Sequence, residues 1–398
     1  MHFTKKAGII LFSLLAVLNA EAQSVNSPIK YLSSSTVQGA SDAVIVENTP
    51  LVHTKQVLPE GKNGSIVQDN FKAQTEQVFK NIAQSLEDSG SQTDHIVKLN
   101  VYLTNVNLIS DFQSILKRRF TEGKQPAITY AIGELPNPRA LIAIDAVAVS
   151  KSENKRVTLI GGTGTEAASS AILPAGPVVY VSGQAAKGDL KQATRATLTQ
   201  LNETLTSLGL SMNDVVQIKS FLTPVSGLDI VKQQFAEFFK NEKIPPLVFV
   251  DWVSSDPVIE IELIASSHTQ GVKNQQVDFI TPPGMTSSPV YSKVSRLNYG
   301  KKVFLSAIHG LSDVNTDTEV STLFDTMNRR LQASGSDFNH LLKATYYIDS
   351  DRYSKSLGDI RPKYYDPKRP PAASKAMLKG IGPDRSGISI DMIGTIKE

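Results

Sequence analysis

One helical stripe occurs three times in this chain, and that repetition limits the fold more than any other feature. Phe79, Ile82, Leu86 and Gly90 recur as Leu198, Leu201, Leu205 and Gly209, then as Phe324, Met327, Leu331 and Gly335, at offsets of 119 and 126 residues. Apolar residues spaced three then four apart lie on one face of a helix. A glycine four positions later suits a left-handed helix end. The register continues past each stop. Runs rich in Val, Ile, Tyr and Phe follow at Ile96–Thr104, Val215–Thr223 and Leu341–Asp349 and read as strands. Second helices follow, with Phe112, Leu116 and Phe120, then Val231, Phe235 and Phe239, then Leu357 and Tyr365 with Arg361 between them. A proline stands 36 residues past each glycine, at Pro126, Pro245 and Pro371, and apolar runs close the copies at Leu141–Val149, Val258–Ala265 and Ile388–Ile396.

Each copy therefore reads strand, strand, helix, strand, helix, strand, strand. Two helices among several strands in about 110 residues predict an α+β unit, a mixed sheet with both helices on one face. The expected units are residues 40–150, 157–268 and 276–397, joined by the polar stretches Asn154–Arg156 and Gly271–Gln276. Residues 1–22 stand apart. Lys5 and Lys6, the apolar run Ala7–Leu18 and Ala20-Glu21-Ala22 read as a signal peptide, so the chain is expected to be exported, periplasmic or secreted.

Composition removes several chemistries. The chain has no Cys, which excludes disulfides, zinc–thiolate sites and a thiol nucleophile. Its six His show no metal-ligand spacing, so no metal or cofactor is expected. A net charge of +3 over 398 residues argues against nucleic acid or an anionic membrane as partner. No Gly-rich phosphate loop or nucleophile elbow is present.

Several motifs resemble the Rid/YjgF family of reactive-intermediate deaminases, known also as L-PSP endoribonucleases. Val179-Tyr180-Val181-Ser182-Gly183-Gln184 is similar to a family strand. Ile259-Glu260-Ile261-Glu262-Leu263-Ile264-Ala265 is similar to its closing strand, and Pro371-Ala372-Ala373-Ser374 resembles its Pro-Ala-Arg-Ser turn. The resemblance implies a chorismate-mutase-like fold, found in the family as homotrimers with ligand clefts between subunits. Three copies in one chain then imply an intramolecular pseudo-trimer, a monomer in solution, with a small molecule in the clefts. It also implies hydrolysis of imines or enamines to a ketone and ammonia. That chemistry needs a cation for the substrate carboxylate, an acid to handle water and protons, and donors for developing charge.

Carried over residue by residue, the acid falls on Asp145, Glu262 and Asp391, and the strand hydroxyl on Thr54, Ser182 and Ser306. The family tyrosine is matched by Tyr291 alone, with Ser41 and Ser169 in the other copies. The family arginine is replaced by Ile128, Leu247 and Ala373. Lys375 is the first candidate to stand in for it, ahead of Arg369 and Arg139, because residues two apart on a strand share a side. The third copy thus groups Tyr291, Ser306, Lys375 and Asp391 as the fullest set. Blander roles compete: Glu262 with Glu260 on a solvated edge, Ser182 and Ser306 satisfying backbone, the lysine and arginines as surface charge, Trp252 in core. The leading expectation is an exported imine or enamine deaminase. The alternative is a non-catalytic module that binds a small molecule or a protein. Ribonuclease activity comes third, since no basic patch with interleaved aromatics is present.

Overall fold

The computed structural model describes residues 27–34, 39–68, 70–240, 242–269, 271–311, 314–383 and 386–398. The proposed signal peptide, residues 1–22, lies outside the described residues. In chain order come β1 (Ile29–Ser33), β2 (Ser41–Val46), β3 (Leu51–Thr54), α1 (Phe71–Glu87), β4 (Ile96–Leu103), α2 (Leu108–Arg119), β5 (Ala127–Ile132) and β6 (Ile142–Val149). The second copy follows as β7 (Thr158–Ile160), β8 (Ser170–Leu173), β9 (Val178–Gln184), α3 (Leu190–Ser207), β10 (Val215–Leu222), α4 (Leu228–Phe239), β11 (Leu247–Asp251) and β12 (Ile259–Ser266). The third has β13 (Val277–Ile280), β14 (Val294–Leu297), β15 (Lys302–Leu305), β16 (Ile308–His309), α5 (Thr316–Ala333), β17 (Leu341–Ile348), α6 (Asp351–Ile360), β18 (Ala372–Met377) and β19 (Ile388–Thr395).

The first helix of each copy starts and stops on the same local chemistry. Asn70, Asp189 and Asn315 accept from the N–H three residues on, at 3.1, 2.8 and 2.9 Å. Gly90, Gly209 and Gly335 stop the chain with φ of 67°, 73° and 78°, where a side chain would be strained. The stripes between bury Phe79, Leu198 and Phe324 in three separate cores, each shared by two helices and one sheet. The protein is an α+β fold of three chorismate-mutase-like units, packed as a pseudo-trimer.

The sheets do not follow chain order. Each copy opens with a hairpin that adds to the sheet of the copy before it. β7–β8 joins β3, giving the order β5-β4-β6-β3-β8-β7, and β13–β14 joins β9 in the order β11-β10-β12-β9-β14-β13. The N-terminal hairpin β1–β2 joins β15 near the far end of the chain. Sequence reading gave two strands before the first helix, whereas the structure has three in the first two copies and four in the third, two of them lent to a neighbour in each case.

The sheets turn their helix-free faces to one another around a common axis. Two apolar clusters are drawn from all three sheets there: one around Val97, Val216, Leu342 and Tyr180, the other around Tyr102, Phe221, Tyr347 and Trp252. A polar layer holds lysines and carboxylates from the same strands. No described helix is long and apolar enough to cross a membrane.

Candidate functional site

The three acids named from sequence come together in that axial layer. Asp145, Glu262 and Asp391 stand at one register position, opposite Asn100, Lys219 and Thr345 on the paired strands. Lys98 donates to Asp391 at 2.6 Å, and to Thr129 and the Leu305 carbonyl at 2.7 Å each. Lys343 meets Glu262 at 2.6 Å. Gln217 holds the third corner, reaching Asp145 at 3.4 Å, while Asn100 and Tyr102 donate to that carboxylate at 2.8 and 2.6 Å. The contacts of Lys98 with Asp391 and Leu305, of Lys343 with Glu262 and of Gln217 with Asp145 cross from one copy to another, whereas Lys98–Thr129 stays within the first. Burial alone would raise the pKa of Asp391, but Lys98 and Lys219 beside it pull it below the usual carboxylate range. Burial works against charge on Lys219, yet Tyr347, Asp145, Glu262 and Asp391 around it push its pKa up. Three lysines thus balance three carboxylates, and only about 30 Å³ of cavity is left between them.

Two residues before those acids on the closing strands stand Ala143, Glu260 and Ser389, opposite Tyr102, Phe221 and Tyr347. Only Glu260 is acidic. It sits at the cleft where the end of β9 meets β18 of the third copy. Its pKa is raised to about 7, first by burial and then by the nearby Glu262 charge; Ser374, Lys375 and Lys343 offset part of this. Gly183 lets the carboxylate through: a Cβ there would overlap its Oε1. The cleft is tied together by backbone and hydroxyls. Ser182 donates to the Ser292 carbonyl at 2.5 Å and accepts from Ala373 N–H at 2.7 Å. Ser374 donates to Glu262 at 2.6 Å and accepts from Gly183 N–H at 3.1 Å. Lys375 reaches Ser354 on α6 at 2.5 Å, and half-burial with Arg361 nearby lowers its pKa. Tyr291 lies beside Ser292, and its hydroxyl accepts from Lys293 at 2.7 Å.

Of the other two clefts, one keeps the serine contacts and the other does not. Between the third and first copies, Ser306 accepts from Ile128 N–H at 2.8 Å and donates to the Ser41 carbonyl at 2.6 Å. Between the first and second, strand register puts Lys55 where Ser182 and Ser306 stand: Lys55, Ser182 and Ser306 donate their N–H groups to the carbonyls of Ser169, Lys293 and Asp42. Thr54 is therefore one position short of the register expected from sequence, and its hydroxyl accepts from Ala146 N–H instead. Gln56 takes the place of Gly183 and bridges both backbone groups of Phe249 at 3.0 and 3.2 Å. An open groove of about 990 Å³ lies outside it, between α1 and α4.

The fullest set expected within the third copy is thus dealt to three places. Tyr291 and Lys375 belong with Ser182 and Glu260, Ser306 faces Ile128, and Asp391 joins the axial layer. The reason is architectural, since every cleft is built from two copies. Arg369 stacks over Phe279 and donates to the Asn339 carbonyl, away from the cleft hydroxyls. Arg139 precedes β6, its carbonyl accepting from Gln74. Trp252 lies in the second axial cluster.

The family model described as Endoribonuclease L-PSP matches residues 36–150 and 165–267, more than half of the sequence. The chain belongs to that family, the Rid/YjgF proteins. A RutC family protein of Pyrococcus abyssi is 31% identical over 108 residues, 27% of this chain and 84% of that one. Protein HMF1 of Saccharomyces cerevisiae is 30% identical over 96 residues, 24% and 73%. Among solved structures, a YjgF-family protein of Neisseria meningitidis is 21% identical with a TM-score of 0.24, covering 31% of this chain and 96% of its own. The Rid-family protein YyfA of Yersinia pestis is 29% identical, TM-score 0.24, covering 27% and 86%. The matched stretches have the length of one copy. Sequence reading had named Glu260 only as a neighbour of Glu262. Lining up the closing strands two residues earlier, where Ala143 and Ser389 answer it, was the signal available.

Proposed function

We propose that the cleft between the second and third copies hydrolyses an imine or enamine to a carbonyl compound and ammonia, in a chain exported after loss of residues 1–22. Family membership supports imine-deaminase or endoribonuclease-like chemistry at the level of the family. The finer reading rests on Glu260, an acid with its pKa raised to about 7 at the seam where β9 meets β18, beside Gly183 and near Lys375. Near neutral pH such a group is part ionised, so it can both take and return a proton.

In the proposed reaction an enamine first takes a proton from solvent at carbon and gives up one from nitrogen, becoming an imine. Water oxygen then bonds to the imine carbon while the C=N electron pair moves to nitrogen. Glu260 accepts a water proton and the nitrogen takes one from solvent. The carbinolamine hydroxyl gives its proton to solvent as C=O forms, the C–N bond breaks with its electron pair going to nitrogen, and Glu260 returns its proton to the departing nitrogen. The net change is imine plus water to carbonyl plus ammonia. Lys375 supplies positive charge beside the site, and the Ser182–Ala373 hydrogen bond fixes the cleft wall. The proposal takes the chain as a monomer with a small-molecule ligand, and neither nucleic acid nor membrane as partner.

Ammonia release from freshly generated imines tests it. Glu260→Gln should lose about 10²–10⁴-fold in rate. If wild type releases ammonia no faster than buffer, catalysis is out and the binding-module reading takes its place. Export is checked separately, by sequencing the N-terminus of the protein recovered outside the cytoplasm.

A further inference from the structure

The missing arginine leaves open how this cleft would hold an acidic substrate. Lys375 stands two residues beyond Ala373, about 7 Å farther along β18 by strand rise. It pairs in register with Tyr346 of β17, and the Arg361 guanidinium lies 5.0 Å from the Tyr346 ring centroid. Strand residue and helix-end residue therefore converge on one spot. Arg361 is part-exposed, its Nε is buried without a hydrogen-bond partner, and it has no carboxylate within 4 Å among the described residues. Lys375 has only a serine hydroxyl. Asp351 and Glu260 are close enough to be felt by it, but neither forms an ion pair with it. Two cations held together with no carboxylate paired directly to either cost energy, which an anion between them would offset.

Building on the proposed hydrolysis, we propose that Lys375 and Arg361 form an acid-group subsite, and that the preferred imine carries its carboxylate or phosphate several bonds from the C=N carbon rather than directly on it. A fork and a point charge together suit a multiply charged oxyanion better than either alone. An α-carboxylate would need a cation at Ala373, where there is none. A group farther down the chain reaches the shifted pair while its reacting carbon stays by Glu260.

The test runs imines made in situ by amine oxidases from a primary amine with a distal carboxylate and from one with a distal phosphate, against the alanine-derived imine, whose carboxylate sits on the C=N carbon, and a neutral imine. Expected is a kcat/KM at least tenfold higher for the distal-acid imines than for the alanine-derived one. The phosphate and carboxylate arms show which oxyanion is preferred. In Lys375→Gln and Arg361→Gln the ratio of distal-acid to neutral kcat/KM should fall tenfold or more. Binding of glutarate and of inorganic phosphate by calorimetry reads the subsite without turnover. Melting temperatures control for Arg361 also covering Tyr346. If no imine is hydrolysed but glutarate or phosphate binds wild type and not the variants, the subsite stands and the hydrolase reading falls. If imines are hydrolysed with unchanged ratios in both variants, or neither anion binds, the subsite is wrong.

Discussion

Glu260 and Glu262 lie on one strand, one face and two residues apart, yet they belong to different regions with opposite electrostatics. Glu262 points into the axial layer, where Lys343 and the Ser374 hydroxyl occupy it. Glu260 points past Gly183 into a cleft where the nearest cations are not paired with it, so burial and its twin make it hold its proton more tightly than an ordinary carboxylate does, up to about pH 7. Burial of charge alone does not mark a working site. A carboxylate whose lone pairs are used up holds the assembly, and one left short of partners is available for chemistry.

The contrast can be broken from the axial side first. Lys98→Met strips Asp391 of its charge partner inside the protein, and urea unfolding should show a loss of about 3–5 kcal/mol. Gly183→Ala attacks the other region. The added methyl displaces the flexible end of Glu260, so ammonia release should drop about a hundredfold, while the unfolding midpoint moves little because only that side chain has to shift. The third prediction sharpens the difference through pH. The folded chain keeps the Glu260 proton up to about pH 7, whereas the unfolded chain releases it near 4.5. Between those values the folded state binds more protons, so wild-type stability falls as pH rises through that window. Glu260→Gln should match wild type near pH 4 and exceed it at pH 8 by about 1–2 kcal/mol, allowing for the cleft's access to water. The smallest effect belongs to the first cleft. Gln56→Ala removes two hydrogen bonds to Phe249 and should cost about 1 kcal/mol in thermal unfolding.

Local patterns carried much of this architecture into the sequence. The spacing of Phe79, Ile82 and Leu86 and the stop at Gly90 repeat because each helix must bury one stripe and end in one way. Lys98, Gln217 and Lys343 each stand eight residues past a stop glycine, but nothing in their strands tells that they reach across to acids of another copy. The hairpin exchange was equally silent, since β2 satisfies the same backbone groups whichever sheet it joins. For the site, Ser182 and Lys375 could be read from motif and strand alternation. Glu260 could not be separated from Glu262 by alternation, because both face the same way. What divides them is the gap beside Gly183 and the reach of Lys343, which are properties of the assembled pseudo-trimer.

The opening hairpin clasps β15, more than 250 residues later. β1 and β2 must wait for the third copy before their edge is covered, so the ring can close only after β15 has been made. A truncation that spares the cleft between the second and third copies but removes residues 29–46 would leave one sheet with a bare edge, inviting the same segment of a second molecule to fill it.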